Sequence, residues 1–442
     1  MKKLVSLVLA LIFVLSMGVG AFAEMKYNPS FDVYSEAVYL VDADGNVLYE
    51  QNADQRMYPL ELTQVMTAIV VIENIDAAGG WDALATYDMN IQNFLYDNRN
   101  NGIISTGMVS GNTFTAEELF NDLVIASGYD AAMILAKLIA GSQDAFVELM
   151  NQKAVEIGAK NTNFSNCHGL HDTANYTTAY DMYLICKYAM GLEKFRETVS
   201  KTSYTCEATD THKKLVWNTY NGLLINGNIH YYSPVIGIKS GYTPEIGRNV
   251  ASYAEYEGFA YYQINLGAPY ELDNGYNLAL VDAKNLYMWA FTEFEIKTIV
   301  EAGSQVAEVG LELAWKKDHL QLMIGESFRT LLPVDTEVSS ITYEYDVPES
   351  VEAPIEKGEE IGKMNLVLAG EVIGSVPLVA AESVEQSELL SGLKNFSDMT
   401  HSFWFKFIVI VIFILIALYI ALMIIRNYNH RKYGNFKRKK RL

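Results

Sequence analysis

The sequence predicts an α+β chain, followed by a small all-β domain and one C-terminal membrane-spanning helix. Three observations carry this. Residues 37–50 and 233–262 have strand character, and the segments between them have helical character. Over residues 298–380, Val, Leu and Ile alternate with charged residues, and Pro354, Gly358, Gly362 and Gly370 space short strands as in a small β-sandwich. Phe407 to Ile425 is a run of 19 residues without a charge. At about 1.5 Å per residue it nearly spans a hydrocarbon core of about 30 Å.

The elements follow in order. Asp44-Gly45 between apolar runs predicts a hairpin over 37–50. Thr63 to Asn74 is dense with Met66, Ile69, Val70 and Ile72 and reads as a helix. Thr115-Ala116-Glu117-Glu118 is a capping-box pattern that starts a helix near residue 116. Ala131 to Ala140 reads as a buried helix, and Asp144 to Ile157 and Ala179 to Met190 add two more. Gly237, Gly241 and Gly247 punctuate the later strands, and Asn277 to Phe294 closes the domain as a helix. Strands at both ends of a helical middle imply an α+β fold in which distant strands join one sheet. Residues 381–402, rich in Ser and Glu, read as a stalk.

The chain ends predict its location. Residues 1–23 join Lys2-Lys3, an apolar run and Ala21-Phe22-Ala23, the pattern of a signal peptide cleaved after Ala23. Trp404 and Tyr428 flank the apolar run, giving a transmembrane helix over 404–425. Residues 426–442 hold eight bases and no acid, so this tail is expected in the cytoplasm and the body outside the cell.

The chain has 33 Lys and Arg against 53 Asp and Glu, a net charge of −20. That acidity argues against nucleic acid as a partner. Half of the residues are apolar, which excludes a disordered chain. Cys167, Cys186 and Cys206 show no CxxC spacing, and the histidines show no HExxH, so no metal or other cofactor is expected.

Four segments then occur in a telling order. Tyr58-Pro59 leads to Met66-Thr67-Ala68, and Ser127-Gly128-Tyr129-Asp130-Ala131-Ala132 follows. Next come Asn163 to Leu170 with Tyr176 to Asp181, and last Gly237-Ile238-Lys239-Ser240-Gly241-Tyr242-Thr243. From residue 34 to the C-terminus the chain resembles the serine D-alanyl-D-alanine carboxypeptidases, the low-molecular-mass penicillin-binding proteins. The resemblance implies a penicillin-binding transpeptidase-like domain over 34–296 and a β domain over 298–380. It also makes a peptidoglycan stem peptide the candidate ligand. In such enzymes the serine of S-x-x-K attacks the D-Ala-D-Ala carbonyl, and the lysine one turn later takes its proton. A second motif, S-x-N, supplies a serine and a substrate-holding amide. A third, K-[ST]-G, binds the terminal carboxylate.

Aligned on the flanks, the serine position falls on Glu61, the lysine position on Gln64 and the amide position on Tyr129. Ser127 and the Lys239-Ser240-Gly241 set remain. Thr63 and Thr67 have Met66 and Val70 three residues on, so neither gains a lysine partner. The sole S-x-x-K, Ser391 to Lys394, lies in the stalk. The expectation is a catalytically inactive homologue, with an active carboxypeptidase as the alternative; its protein partner is not legible. Lys239 and Ser240 suit carboxylate binding and, equally, a strand-turn held by a Lys239–Glu61 salt bridge. Ser127 is expected to cap the helix that follows it, and His168 to pack in a loop.

Overall fold

The computed structural model describes residues 27–100, 102–103, 106–270 and 276–438. The signal-peptide pattern and the last bases of the tail lie outside the described residues. Two compact units divide the chain. One comprises residues 24–296 with 331–336, and the other 297–330 with 337–442.

The first unit is built on a five-stranded antiparallel sheet in the order Val47–Gln51, Ala37–Asp42, Phe259–Ala268, Gly247–Tyr256 and Val235–Thr243. The expected hairpin is present, with Gly45 at φ +103°. The Asp42 carboxylate accepts hydrogen bonds from Gly45 N and Asn46 N, both at 2.8 Å. The central pairing joins residues more than 200 positions apart, for example Leu40 opposite Gln263.

Strand alternation sends side chains to two cores. Tyr39, Val41, Ile264 and Leu266 join the larger core, which also takes in helix Thr63–Asn74. Val38, Leu40 and Tyr261 face the smaller core with helix Leu278–Glu293. Helix Thr63–Asn74 is buried from Thr63 to Val71 without a break, so it has no wet face over that stretch. The capping box at Thr115 and Glu118 forms as the sequence predicts. Its helix ends at Asn121, and a wider π-type turn runs from Asp122 to Ala126.

The second unit contains a mixed six-stranded sheet in the order Thr342–Asp346, Glu360–Leu368, Glu371–Ala380, His319–Ile324, Gln305–Glu312 and Ser350–Glu352. Within 381–402, residues Glu388–His401 form a helix that exposes Leu389, Leu393, Phe396 and Met399. Helix Phe403–Arg438 follows, and its Phe403–Tyr428 stretch is long and apolar enough to cross a membrane.

Candidate active site

The tight turn before helix Thr63–Asn74 sets the site. Leu60 takes φ +54°, a left-handed conformation that L side chains rarely adopt. Asn249 Nδ2 donates to the carbonyls of Tyr58 and Pro59, at 2.8 and 3.2 Å, and ties this turn to the sheet. Gly169 packs behind it. A Cβ there would lie 2.4 Å from the Leu60 carbonyl oxygen, so only glycine fits.

This turn delivers Glu61 into the interior, 2% exposed. One carboxylate oxygen, Oε1, accepts from Tyr129 Oη at 2.8 Å. The other, Oε2, accepts from Tyr242 N at 3.1 Å. Gly241 lies flat against it, since a Cβ at 241 would sit 2.1 Å from Oε2. Burial raises the Glu61 carboxyl from 4.5 to about 7, against the lowering pull of these hydrogen bonds and of Lys239.

Gln64, one turn on and also buried, donates its amide to the carbonyls of His168 (2.9 Å) and Ser127 (3.2 Å). Its Oε1 is buried without a partner. A side-chain amide has no basic lone pair on nitrogen, so this position cannot take a proton from a neighbour.

Tyr129 opens helix Tyr129–Ala140, and its ring stacks on His168 at 5.8 Å. His168 has the expected packing role. It is buried, its Nδ1 accepts from Leu170 N, and burial lowers its pKa to about 4, keeping the ring neutral.

Lys239, on strand Val235–Thr243, is buried with its Nζ donating to Leu123 O (2.7 Å), Val124 O (2.9 Å) and Ser127 Oγ (3.1 Å). Desolvation lowers its pKa from 10.5 to about 7, opposed by Glu61 and Asp122. Two expectations are corrected here. Glu61 and Lys239 form no direct salt bridge among the described residues, because each has its own short-range partners. Ser127 does not cap the next helix. Gly128 holds the N-cap position without a side-chain bond, and Ser127, at φ +59°, ends the preceding turn and points its hydroxyl to Lys239. Ser240, half-buried beside Lys239, joins neither hydrogen-bond set among the described residues.

The sequence reading missed two groups behind the lysine. Asp122 and Asp130 are buried, and Thr106 Oγ1 lies 3.0 Å from one and 3.2 Å from the other. Burial raises both carboxyls, and the charge of Asp130 raises Asp122 further. The acid at 130 lies inside a quoted motif. The one at 122 had no local signal, because its neighbour is set by the turn at 122–126.

The fold and the site define a penicillin-binding α+β domain followed by a β domain. The family model described as D-alanyl-D-alanine carboxypeptidase matches residues 23–269. The model for the C-terminal domain of penicillin-binding protein 5 matches residues 294–386. The chain belongs to the D-alanyl-D-alanine carboxypeptidase family. It is 27% identical over 416 residues to D-alanyl-D-alanine carboxypeptidase DacF of Bacillus subtilis, covering 92% of this chain and all of that one. With DacA of Escherichia coli it shares 29% over 391 residues, 84% of this chain and 89% of that one. Penicillin-binding protein 5 of Haemophilus influenzae superposes with a TM-score of 0.60 at 26% identity, over 81% of this chain and 100% of that one.

Proposed function

We propose that this chain is a non-catalytic member of the cell-wall carboxypeptidase family. On this reading it is anchored by its C-terminal helix with its body outside the cell, and it acts as a peptidoglycan-binding or scaffold protein. One observation carries the loss of catalysis. Acyl transfer needs two N–H donors aimed at a developing oxyanion. Here the Tyr242 N–H, on the strand facing the nucleophile position, already bonds the Glu61 carboxylate at 3.1 Å and is not free for an oxyanion. Attack by that carboxylate on an amide would give an unstable anhydride, and Gln64 supplies no base. The Glu61–Lys239 pair, with both pKa values near 7, sums to about zero charge, so the pull on a substrate carboxylate is weak.

The alternative is an active serine carboxypeptidase, and one contact favours it. A neutral Lys239 would give its two N–H bonds to Leu123 O and Val124 O and offer its lone pair to the Ser127 hydroxyl. Against this, Ser127 is 5% exposed and the Tyr242 N–H is already bonded to Glu61.

Intact-mass spectrometry after incubation with excess penicillin separates the two readings. The expected result is no mass increase. A single adduct mapped to Ser127 would establish the active enzyme. Co-sedimentation with purified cell-wall sacculi then distinguishes a wall binder, which pellets, from a protein scaffold, which stays in solution.

A further inference from the structure

We infer that the first unit contains a transition-metal site, of the class that takes Zn²⁺, formed by Glu118, Cys206 and His212. One donor atom from each of these side chains lies within 4.8 Å of the other two. The set stands outside the acylation machinery and does not depend on what that machinery does.

Each ligand is held by its own support. Glu118 is the third residue of helix Ala116–Asn121, where its Oε2 accepts from Thr115 N at 2.8 Å in the capping box. That leaves Oε1 turned to Cys206 Sγ at 3.4 Å. Cys206 ends strand Ser203–Cys206 and is fully buried. His212 lies in the loop that returns to strand Leu215–Asn218, stacked on Phe114 at 4.4 Å. Two bonds fix this loop to the neighbouring segment, from Asn112 Nδ2 to Thr211 O at 2.6 Å and from Thr113 N to Thr211 Oγ1 at 3.1 Å.

The histidine supplies the independent sign of a missing ligand. It is 7% exposed, and its Nδ1 lies 3.0 Å from the Lys213 carbonyl oxygen. A carbonyl only accepts, so Nδ1 carries the proton and the lone pair of the neutral ring is on Nε2. That Nε2 is buried with no hydrogen-bond partner. An imidazole oriented by a carbonyl behind it, with its other nitrogen unsatisfied, is the usual posture of a metal ligand.

The chemistry of the set selects the ion. Thiolate, imidazole and carboxylate together suit Zn²⁺, and three protein ligands leave a fourth position for water on the partly exposed Glu118 side. With metal–sulfur bonds of about 2.3 Å and metal–nitrogen or metal–oxygen bonds of about 2.0 Å, tetrahedral ligand atoms lie roughly 3–4 Å apart. The sulfur–carboxylate separation of 3.4 Å already falls there, and all three ligand atoms lie within 4.8 Å of one another. Binding deprotonates the thiol, and its proton leaves to solvent. The carboxylates of Glu118, Asp122 and Glu207 act on the Cys206 thiol, and the same negative surroundings attract a divalent cation. With Cys206 and Glu118 ionised and His212 neutral, a bound Zn²⁺ is charge-balanced.

The test uses the full-length, tag-free chain in detergent with a non-chelating reductant. It is loaded with zinc chloride, desalted and assayed for metal by mass spectrometry, and a parallel sample receives Co²⁺. About one zinc per chain is expected to remain, and the cobalt sample should show thiolate-to-metal charge-transfer absorption. Cys206→Ser and His212→Gln should reduce retained metal to background. Glu118→Gln preserves the capping box, which accepts Gln, and should weaken binding about tenfold or more. Absence of the cobalt band in the wild-type chain overturns the site without reliance on any variant. Retained zinc that the Cys206 and His212 substitutions leave unchanged overturns it as well.

Discussion

The two walls of the site present different residues. The strand wall carries Lys239, Ser240 and Gly241, and Lys239 Nζ donates to Ser127 Oγ at 3.1 Å. The helix wall carries Glu61 and Gln64. Asn249 braces the turn before it, and Gly169 and Gly241 leave room for it. Backbone placement and chemistry are therefore separable in this fold. Asn249 holds the turn through the carbonyls of Tyr58 and Pro59, and the side chains at 61 and 64 add bonds of their own to Tyr242 N and to the carbonyls of His168 and Ser127.

The largest test of that separation is to put the chemistry back. Glu61→Ser with Gln64→Lys and Tyr129→Asn should convert a chain with no penicillin adduct into one that is acylated, read by intact mass. Failure of a folded triple variant would show that the helix wall is displaced and not merely re-equipped.

Next in size is Gly241→Ala. The added Cβ meets the Glu61 carboxylate at 2.1 Å. A cost of about 2–3 kcal/mol is expected from denaturant unfolding, at the upper part of the overpacking range. In a Glu61→Ser background the same substitution should cost at least about 1 kcal/mol less, because the closest clash is with the carboxylate. Equal costs in the two backgrounds would mean that the carboxylate does not lie on Gly241.

The buried carboxyl gives a pH signature. Its pKa is raised in the folded chain, so folding is favoured by its protonated form. This contribution is complete below about pH 4.5 and is lost as pH rises through about 7. Glu61→Gln lacks that titration. Its stability relative to wild type should therefore rise between pH 5 and pH 8, by on the order of 1–3 kcal/mol. A flat difference across that range contradicts the placement of a carboxyl in this pocket.

The smallest effect on this wall is Tyr129→Phe. It removes one hydroxyl donor to Glu61 and should cost about 1–2 kcal/mol near pH 8, where the carboxyl is charged. It should also shift the Glu61 titration upward, since that bond lowers the carboxyl's pKa. An exposed control pair, Lys137 with Asp88, should change stability by less than about 1 kcal/mol on Lys137→Ala.

Much of the framework was legible without coordinates. The hairpin at 37–50, the helix Ala179–Met190 and the capping box at Thr115 follow from local chemistry, namely turn residues, apolar spacing and a side chain that reaches its own backbone. The positions of Glu61, Gln64 and Tyr129 came from motif order. Their partners did not. A direct Glu61–Lys239 pair was a reasonable expectation from charge alone. It fails because the Tyr129 hydroxyl and the Tyr242 N–H reach Glu61, while Leu123 O and Val124 O reach Lys239. The capping role of Ser127 was also reasonable, and fails because the turn before it places Ser127 in the left-handed region.

The sequence by itself determined the elements, the order of the motifs and which residues stand at 61, 64 and 129, because each of these is a property of residues near one another along the chain. Only the tertiary structure decided that the Glu61 carboxylate takes the Tyr242 N–H and that Asp122 and Asp130 both approach Thr106. It alone also brings Glu118 and His212, 94 residues apart, to Cys206. The physical reason is the same in each case. A buried polar group must find its partner within about 3 Å, and which groups arrive there is set by sheet and helix packing between segments that have no local sequence relation.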